Sequence, residues 1–189
     1  AYDLQGRPTN VWGATYPVAY EYDAYGRMAA MKTWRDVDGA PDVTRWCYDE
    51  ATGLLTNKVY ADGSGPSYEY DAAGRLTKRT WARGVTTEYA YDALGQLTNV
   101  DYSDDTPDVS YTYDRMGRPA TVTDALGMRS NVYDAATLDL VAEQLPDGHV
   151  LARSYDRFGR PTGIALGADY QVAYAYDDVG RFAAITSAV

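Results

Sequence analysis

The chain has 189 residues, 46% of them apolar, and a net charge of −10, which is enough for one domain of ordinary size with a core. Arg and Lys are spread evenly among the acids, so the concentrated basic footprint of a nucleic-acid binder is excluded. No apolar run approaches the roughly 18 to 20 residues that span a bilayer.

Tyr (19) far outnumbers Phe (2), a bias that favours surfaces with an apolar body and a wet rim. The opening stretch, AYDLQGRPTN, lacks the basic and apolar regions of a signal peptide. It begins within a motif, so the chain is expected to be a fragment of a larger protein.

From the N-terminus onward the pair Tyr-Asp recurs, at Tyr2, Tyr22, Tyr48, Tyr70, Tyr91, Tyr113, Tyr133, Tyr155 and Tyr176. The intervals are 20, 26, 22, 21, 22, 20, 22 and 21 residues. Periodicity of this length signals a repeat architecture, and residues 1–189 read as a single array of nine repeats. Only the second interval is enlarged, by a polar, turn-rich insertion in residues 32–45.

Seven copies continue as Asp-x-x-Gly followed by Arg or Gln. In order they are Asp3, Gly6 and Arg7; Asp23, Gly26 and Arg27; Asp71, Gly74 and Arg75; Asp92, Gly95 and Gln96; Asp114, Gly117 and Arg118; Asp156, Gly159 and Arg160; and Asp177, Gly180 and Arg181. The other two depart. Asp49 is followed by EATGLL and Asp134 by AATLDL, so their turns are expected to differ in geometry.

Asp at the first position of a type I turn, with Gly three residues later free to take positive φ, is the common three-residue hairpin connection with a bulge. Asp and the residue after Gly then flank the loop as cross-strand neighbours. Alternating segments such as SYEYD and TTEYAYD precede each turn, and segments rich in Thr, Val and aromatics follow it. Turn signals such as ADGSG, ARG and LPDG close the other end. The expectation is all-β: repeated antiparallel hairpins, about 16 to 18 strands, forming a curved or spiralling sheet because open twisted sheets rarely exceed about ten strands.

With a strand period of two, Tyr68 and Tyr70 share a face, as do Tyr111 and Tyr113. The residue two after Gly joins them. Three after Gly stands Thr or Ala, and five after it usually Val, Ile or Met; both fall on the other face unless a bulge swaps the parity midway. The two alternatives stay open at this level.

The pattern [Tyr/Trp]-x-Tyr-Asp-x-x-Gly-Arg-[Leu/Pro/Phe]-[Thr/Ala]-x-[Val/Ile], as in YEYDAAGRLT and YTYDRMGRPATV, resembles the YD repeat of RHS-repeat proteins, a family that includes bacterial Rhs toxins, components of insecticidal Tc complexes and animal teneurins. The resemblance covers essentially the whole chain. It implies a β-ribbon forming part of a hollow shell of a large secreted or cell-surface protein, bacterial in origin, which encloses or presents a C-terminal toxin domain. The implied partners are neighbouring YD repeats of the same polypeptide and an encapsulated toxin domain. The family's self-cleavage region carries Asp-Pro, a dipeptide this chain does not contain.

Enzymatic chemistry is not expected. His149 is the single histidine and reads as an exposed turn residue; Cys47 reads as a buried or wall-facing thiol. The acidic stretches Asp36-Asp38-Asp42 and Asp104-Asp105-Asp108 lack an EF-hand pattern, and no metal or cofactor is implied. The competing reading is a stand-alone carbohydrate- or protein-binding module that uses its aromatic surface, with Trp34 and Trp81 as the possible ligand surface. The repeated Tyr, Asp, Gly and Arg residues themselves read as structural.

Overall fold

The computed structural model describes residues 1–13, 16–36 and 38–188; Val37, inside the expected insertion, lies outside them. Every strand pairing in it is antiparallel, and no helix occurs among the described residues. The strands are β1 (Asn10–Val11), β2 (Val18–Tyr22), β3 (Met28–Thr33), β4 (Asp42–Tyr48), β5 (Leu55–Val59), β6 (Ser67–Tyr70), β7 (Leu76–Thr80) and β8 (Thr86–Tyr91). They continue as β9 (Leu97–Tyr102), β10 (Val109–Tyr113), β11 (Pro119–Asp124), β12 (Gly127–Tyr133), β13 (Leu140–Gln144), β14 (Val150–Tyr155), β15 (Pro161–Leu166), β16 (Tyr170–Tyr176) and β17 (Phe182–Ala188).

Two compact units are present. The first, residues 1–89 with 101–106, is a meander in which each strand from β1 to β8 pairs with the next. The second, residues 90–100 with 107–189, continues the same way from β9 to β17. In the enlarged interval β3 and β4 remain paired out to Thr33 opposite Asp42.

The regular turns follow the expected geometry. At Asp71 the Gly74 amide donates to the Asp71 carbonyl at 2.9 Å, and the Asp71 amide donates to the Arg75 carbonyl at 2.9 Å; Gly74 takes φ +79°. The two irregular turns are one residue longer: Gly53 donates to the Asp49 carbonyl and Leu138 to that of Asp134. Leu138 thereby occupies the place of a left-handed glycine, at φ 67°. It is the one non-glycine residue at positive φ among the described residues.

A bulge resolves the question of faces. Tyr70 lies opposite Leu76, but Glu69 lies opposite Lys78, so Thr77 is an extra residue on its strand. The same shift falls at Ala29, Thr56, Ala120, Val141, Thr162 and Ala183. The position that carries Thr or Ala in the regular repeats is therefore the bulge. Past it the parity inverts, and the residue five after Gly returns to the tyrosine face: Met31 opposite Tyr20, Val122 opposite Tyr111, Ile185 opposite Tyr174. Thr56 and Thr77 also donate their hydroxyls to the Cys47 and Glu69 carbonyls across the bulge.

The apolar content does not gather into a deep core. Among the described residues the buried aliphatic side chains are Ala30, Pro66 and Val100, whereas the paired tyrosines are half-buried and the residues between them largely exposed.

Candidate functional site

The motif residues meet not within one repeat but between one repeat and the next. Each regular turn is first locked by its own Asp. In the third complete example, Asp71 Oδ1 accepts from the Ala73 and Arg75 amides at 2.9 and 3.0 Å, while Oδ2 accepts from Arg75 Nε at 2.7 Å. Asp3, Asp23, Asp114, Asp156 and Asp177 repeat the arrangement. Hydrogen bonds from the Arg backbone, then from its side chain, hold the Asp71 and Asp177 carboxyls below the usual carboxylate range. Gln96 cannot supply the ion pair, yet Asp92 still accepts from the Leu94 and Gln96 amides.

The arginine, its Nε anchored on its own Asp, reaches forward. Its guanidinium carbon lies over the motif tyrosine of the following repeat: Arg7 over Tyr22 at 4.4 Å, Arg27 over Tyr48 at 4.2 Å, Arg118 over Tyr133 at 4.0 Å and Arg160 over Tyr176 at 4.5 Å from the ring centroid. Such cation–π contacts are worth about 0.5–1 kcal/mol at partly exposed sites. Arg27 also donates to the Gly53 carbonyl and Arg118 to that of Leu138, so the irregular turns are held by the arginine preceding them. Gln96 retains this reach through a 3.1 Å bond to the Gly117 carbonyl. The approach is close enough to give glycine a second role: a Cβ at Gly26 would lie 2.6 Å from Arg7 Nη1, and one at Gly180 2.7 Å from Arg160 Nη1.

The tyrosine reaches back. The hydroxyls of Tyr22, Tyr48, Tyr70, Tyr113, Tyr133, Tyr155 and Tyr176 donate to the carbonyls of Pro8, Met28, Leu55, Leu97, Pro119, Leu140 and Pro161, at 2.7 to 3.0 Å. Each acceptor is the first residue of the strand after the preceding turn, or the Pro8 that holds that place. Burial raises the pKa of the Tyr48, Tyr70 and Tyr113 phenols, which keeps the proton that each bond requires.

The other expected positions fall elsewhere. Trp81 is half-buried rather than open: its indole N–H donates to the buried Thr87 hydroxyl at 2.9 Å, and Arg79 lies over its ring at 3.3 Å. Trp34 is also half-buried, at the start of the β3–β4 connection. Cys47 corrects the expectation of a buried or wall-facing thiol: it sits on the face opposite Trp46 and Tyr48, across from Asn57, and is exposed. His149 is exposed in its turn, with Nδ1 3.1 Å from Asp147. Asp42 pairs with Arg35 and Asp104 with Arg83, and among the described residues no group of three or more His, Cys, Asp or Glu is placed to hold a metal ion.

Sequence reasoning missed the inter-repeat bonds. The acceptors are backbone carbonyls, which leave no residue signature; the available signal was the recurrence of each Tyr 14 to 16 residues after its acceptor, or 20 across the enlarged interval. It also missed a hollow of about 340 Å³ on the tyrosine face between β14 and β17, lined by Arg153, Tyr155, Ile164, Tyr174, Tyr176 and Phe182 among others.

A family model described as RHS Repeat matches residues 48–86, 70–107 and 91–127. Comparison with curated proteins gives no match. Among solved structures, the crystal structure of TcdB2-TccC3-Cdc42 is similar at TM-score 0.61 and 16% identity, over 95% of this chain and 12% of that one. That of TcdB2-TccC3 gives TM-score 0.61 and 16% identity, over 95% and 13%. The Tc holotoxin pore of Photorhabdus luminescens gives 0.56 and 16%, over 95% and 12%. At this identity the likeness is one of fold, and the chain spans about an eighth of the length of those chains.

Proposed function

We propose that this RHS-repeat chain is a wall segment of a large secreted or cell-surface shell, in which its repeats help to enclose or present a C-terminal toxin domain. The observation that carries this reading is the clamp. The side-chain chemistry of the recurring Tyr, Asp, Gly and Arg is spent on joining one hairpin to the next, which leaves a scaffold rather than a reaction centre. The RHS fold is structural rather than catalytic, and the Tc assemblies are similar to it across nearly the whole of this chain. Neighbouring repeats of the same polypeptide are its first partners, with a domain held behind the wall as the second.

Immunoblotting and mass spectrometry of the source cells test this directly. The expected result is a polypeptide many times longer than 189 residues, with tryptic peptides from further YD repeats and a dissimilar C-terminal domain that resists added protease until the shell is disrupted. A native chain of about the present length would overturn the proposal and favour a stand-alone binding module.

A further inference from the structure

In most repeats the first ring of the Tyr-x-Tyr pair stands across from an aliphatic residue on the tyrosine face: Tyr20 opposite Met31, Tyr111 opposite Val122 and Tyr174 opposite Ile185. Asn131 and Arg153 stand there instead in two repeats. Asn131 spends its amide on the Pro119 carbonyl at 2.8 Å. Arg153 lies opposite Ile164, but its guanidinium is drawn to Glu143 on β13, with Nη2 3.3 Å from the carboxylate. The hollow of about 340 Å³ lies at this place, lined by Arg153, Tyr155, Ile164, Tyr174 and Tyr176 among others. The strands that carry these residues, β14, β15 and β16, are each paired on both sides. The hydroxyls of Tyr155 and Tyr176 are already given to the Leu140 and Pro161 carbonyls, so these residues offer the hollow their rings. Arg153 Nη1 is buried and has no hydrogen-bond partner, a condition that costs free energy until an acceptor meets it.

We propose that this hollow binds a small phenol, whose ring takes the place of the missing tyrosine ring at Ile164 and whose oxygen accepts from the Arg153 guanidinium. The volume lies at the small end of the range of about 300–1,000 Å³ found for small-molecule sites. An apolar space left where a side chain is missing takes an aromatic guest of matching shape, and here the neighbouring Tyr155 and Tyr174 supply rings for it to pack against. The guest's oxygen meets Nη1 when the guanidinium turns about its contact with Glu143. Because Glu143 already balances the charge of Arg153, a neutral phenol suits the site better than a carboxylate, which would be repelled by Glu143.

The probe is p-cresol, titrated into the isotope-labelled 189-residue chain and followed by NMR. The expected result is a saturable shift concentrated at the Arg153, Ile164 and Tyr174 amides. Cyclohexanol keeps the hydroxyl and loses the flat ring, so it should bind roughly twofold to tenfold more weakly. Arg153→Tyr restores the residue type that other repeats carry at this place and should abolish the shift while leaving circular dichroism unchanged. If that variant loses the parent's circular dichroism, Ile164→Phe, which fills the hollow from β15, replaces it in the comparison. Absence of saturable binding overturns the proposal, as does equal binding of cyclohexanol. Binding that survives in the filled variant marks adsorption to tyrosine rings in general and overturns it too. None of these outcomes depends on the length of the native polypeptide, so this proposal and the shell reading can fail separately.

Discussion

Tyrosine, aspartate and arginine divide the work of the clamp by what each can offer. Asp supplies two oxygens, one for its own turn's amides and one for the guanidinium; Arg adds a flat cationic face; Tyr adds a ring to lie beneath it and a hydroxyl long enough to reach a carbonyl of the preceding repeat. Tyr113→Phe keeps the ring and removes one bond, so it should lower stability by about 1 kcal/mol, read as a shift in the denaturation midpoint. Tyr25→Phe, at a position 83% exposed, should leave the midpoint unchanged. The aspartates also set the acid limit. Because the fold depresses the Asp71 and Asp177 pKa values, their contribution is fully present above the unfolded value of about 3.9 and is lost as pH falls through the lower folded values. Tm should stay level from about pH 7 to 5 and drop below about pH 4. The sequence announced the turn role of Asp and Gly through their spacing; it gave no sign of the tyrosine hydroxyl's partner, because any residue type can offer a backbone carbonyl.

At the scale of the hairpin, the extra residue behind each turn explains a pattern that composition alone left ambiguous. Thr or Ala at the bulge and Val, Ile or Met two residues further on read as one face when a period of two is applied throughout, and as two faces once the bulge is inserted. Turn type was legible in the regular copies. In AATLDL it was not, because nothing in a leucine signals that it will be held at φ 67°. A non-glycine residue in the left-handed region costs roughly 1–2 kcal/mol, part of which glycine returns as unfolded-chain entropy. Leu138→Gly should therefore stabilise the chain by about 0.5–1 kcal/mol, measured as a higher denaturation midpoint. Gly74→Val runs the other way. The nearest atom to a Cβ there is 3.8 Å away, so its cost comes from backbone strain at φ +79° rather than from a clash, and the midpoint should fall by an amount matching at least 1 kcal/mol.

For the molecule as a whole, an apolar share of 46% suggested a core, yet those side chains are distributed along the strands as half-covered tyrosine pairs. Stability in such a chain is close to a sum of neighbour terms. Its loss should be graded rather than all-or-none, beginning where a strand has one neighbour. Hydrogen exchange should show the β17 amides, paired on one side with β16, exchanging well before those of β14, which is paired on both sides with β13 and β15. Uniform protection across β14 to β17 would contradict this nearest-neighbour account.

The reach of each clamp from one hairpin to the next also sets a rule for how a gene of this kind changes length. Removing or duplicating one entire repeat, for instance by unequal recombination between similar stretches of DNA, leaves each tyrosine with a carbonyl behind it and each arginine with a ring ahead of it. Removing half a repeat strands a donor at one seam and an acceptor at the other, and flips the parity of everything downstream. Inheritance should therefore tolerate gains and losses in whole-repeat steps while purging fractional ones, and the insertion between β3 and β4 sits in a connection that no clamp crosses.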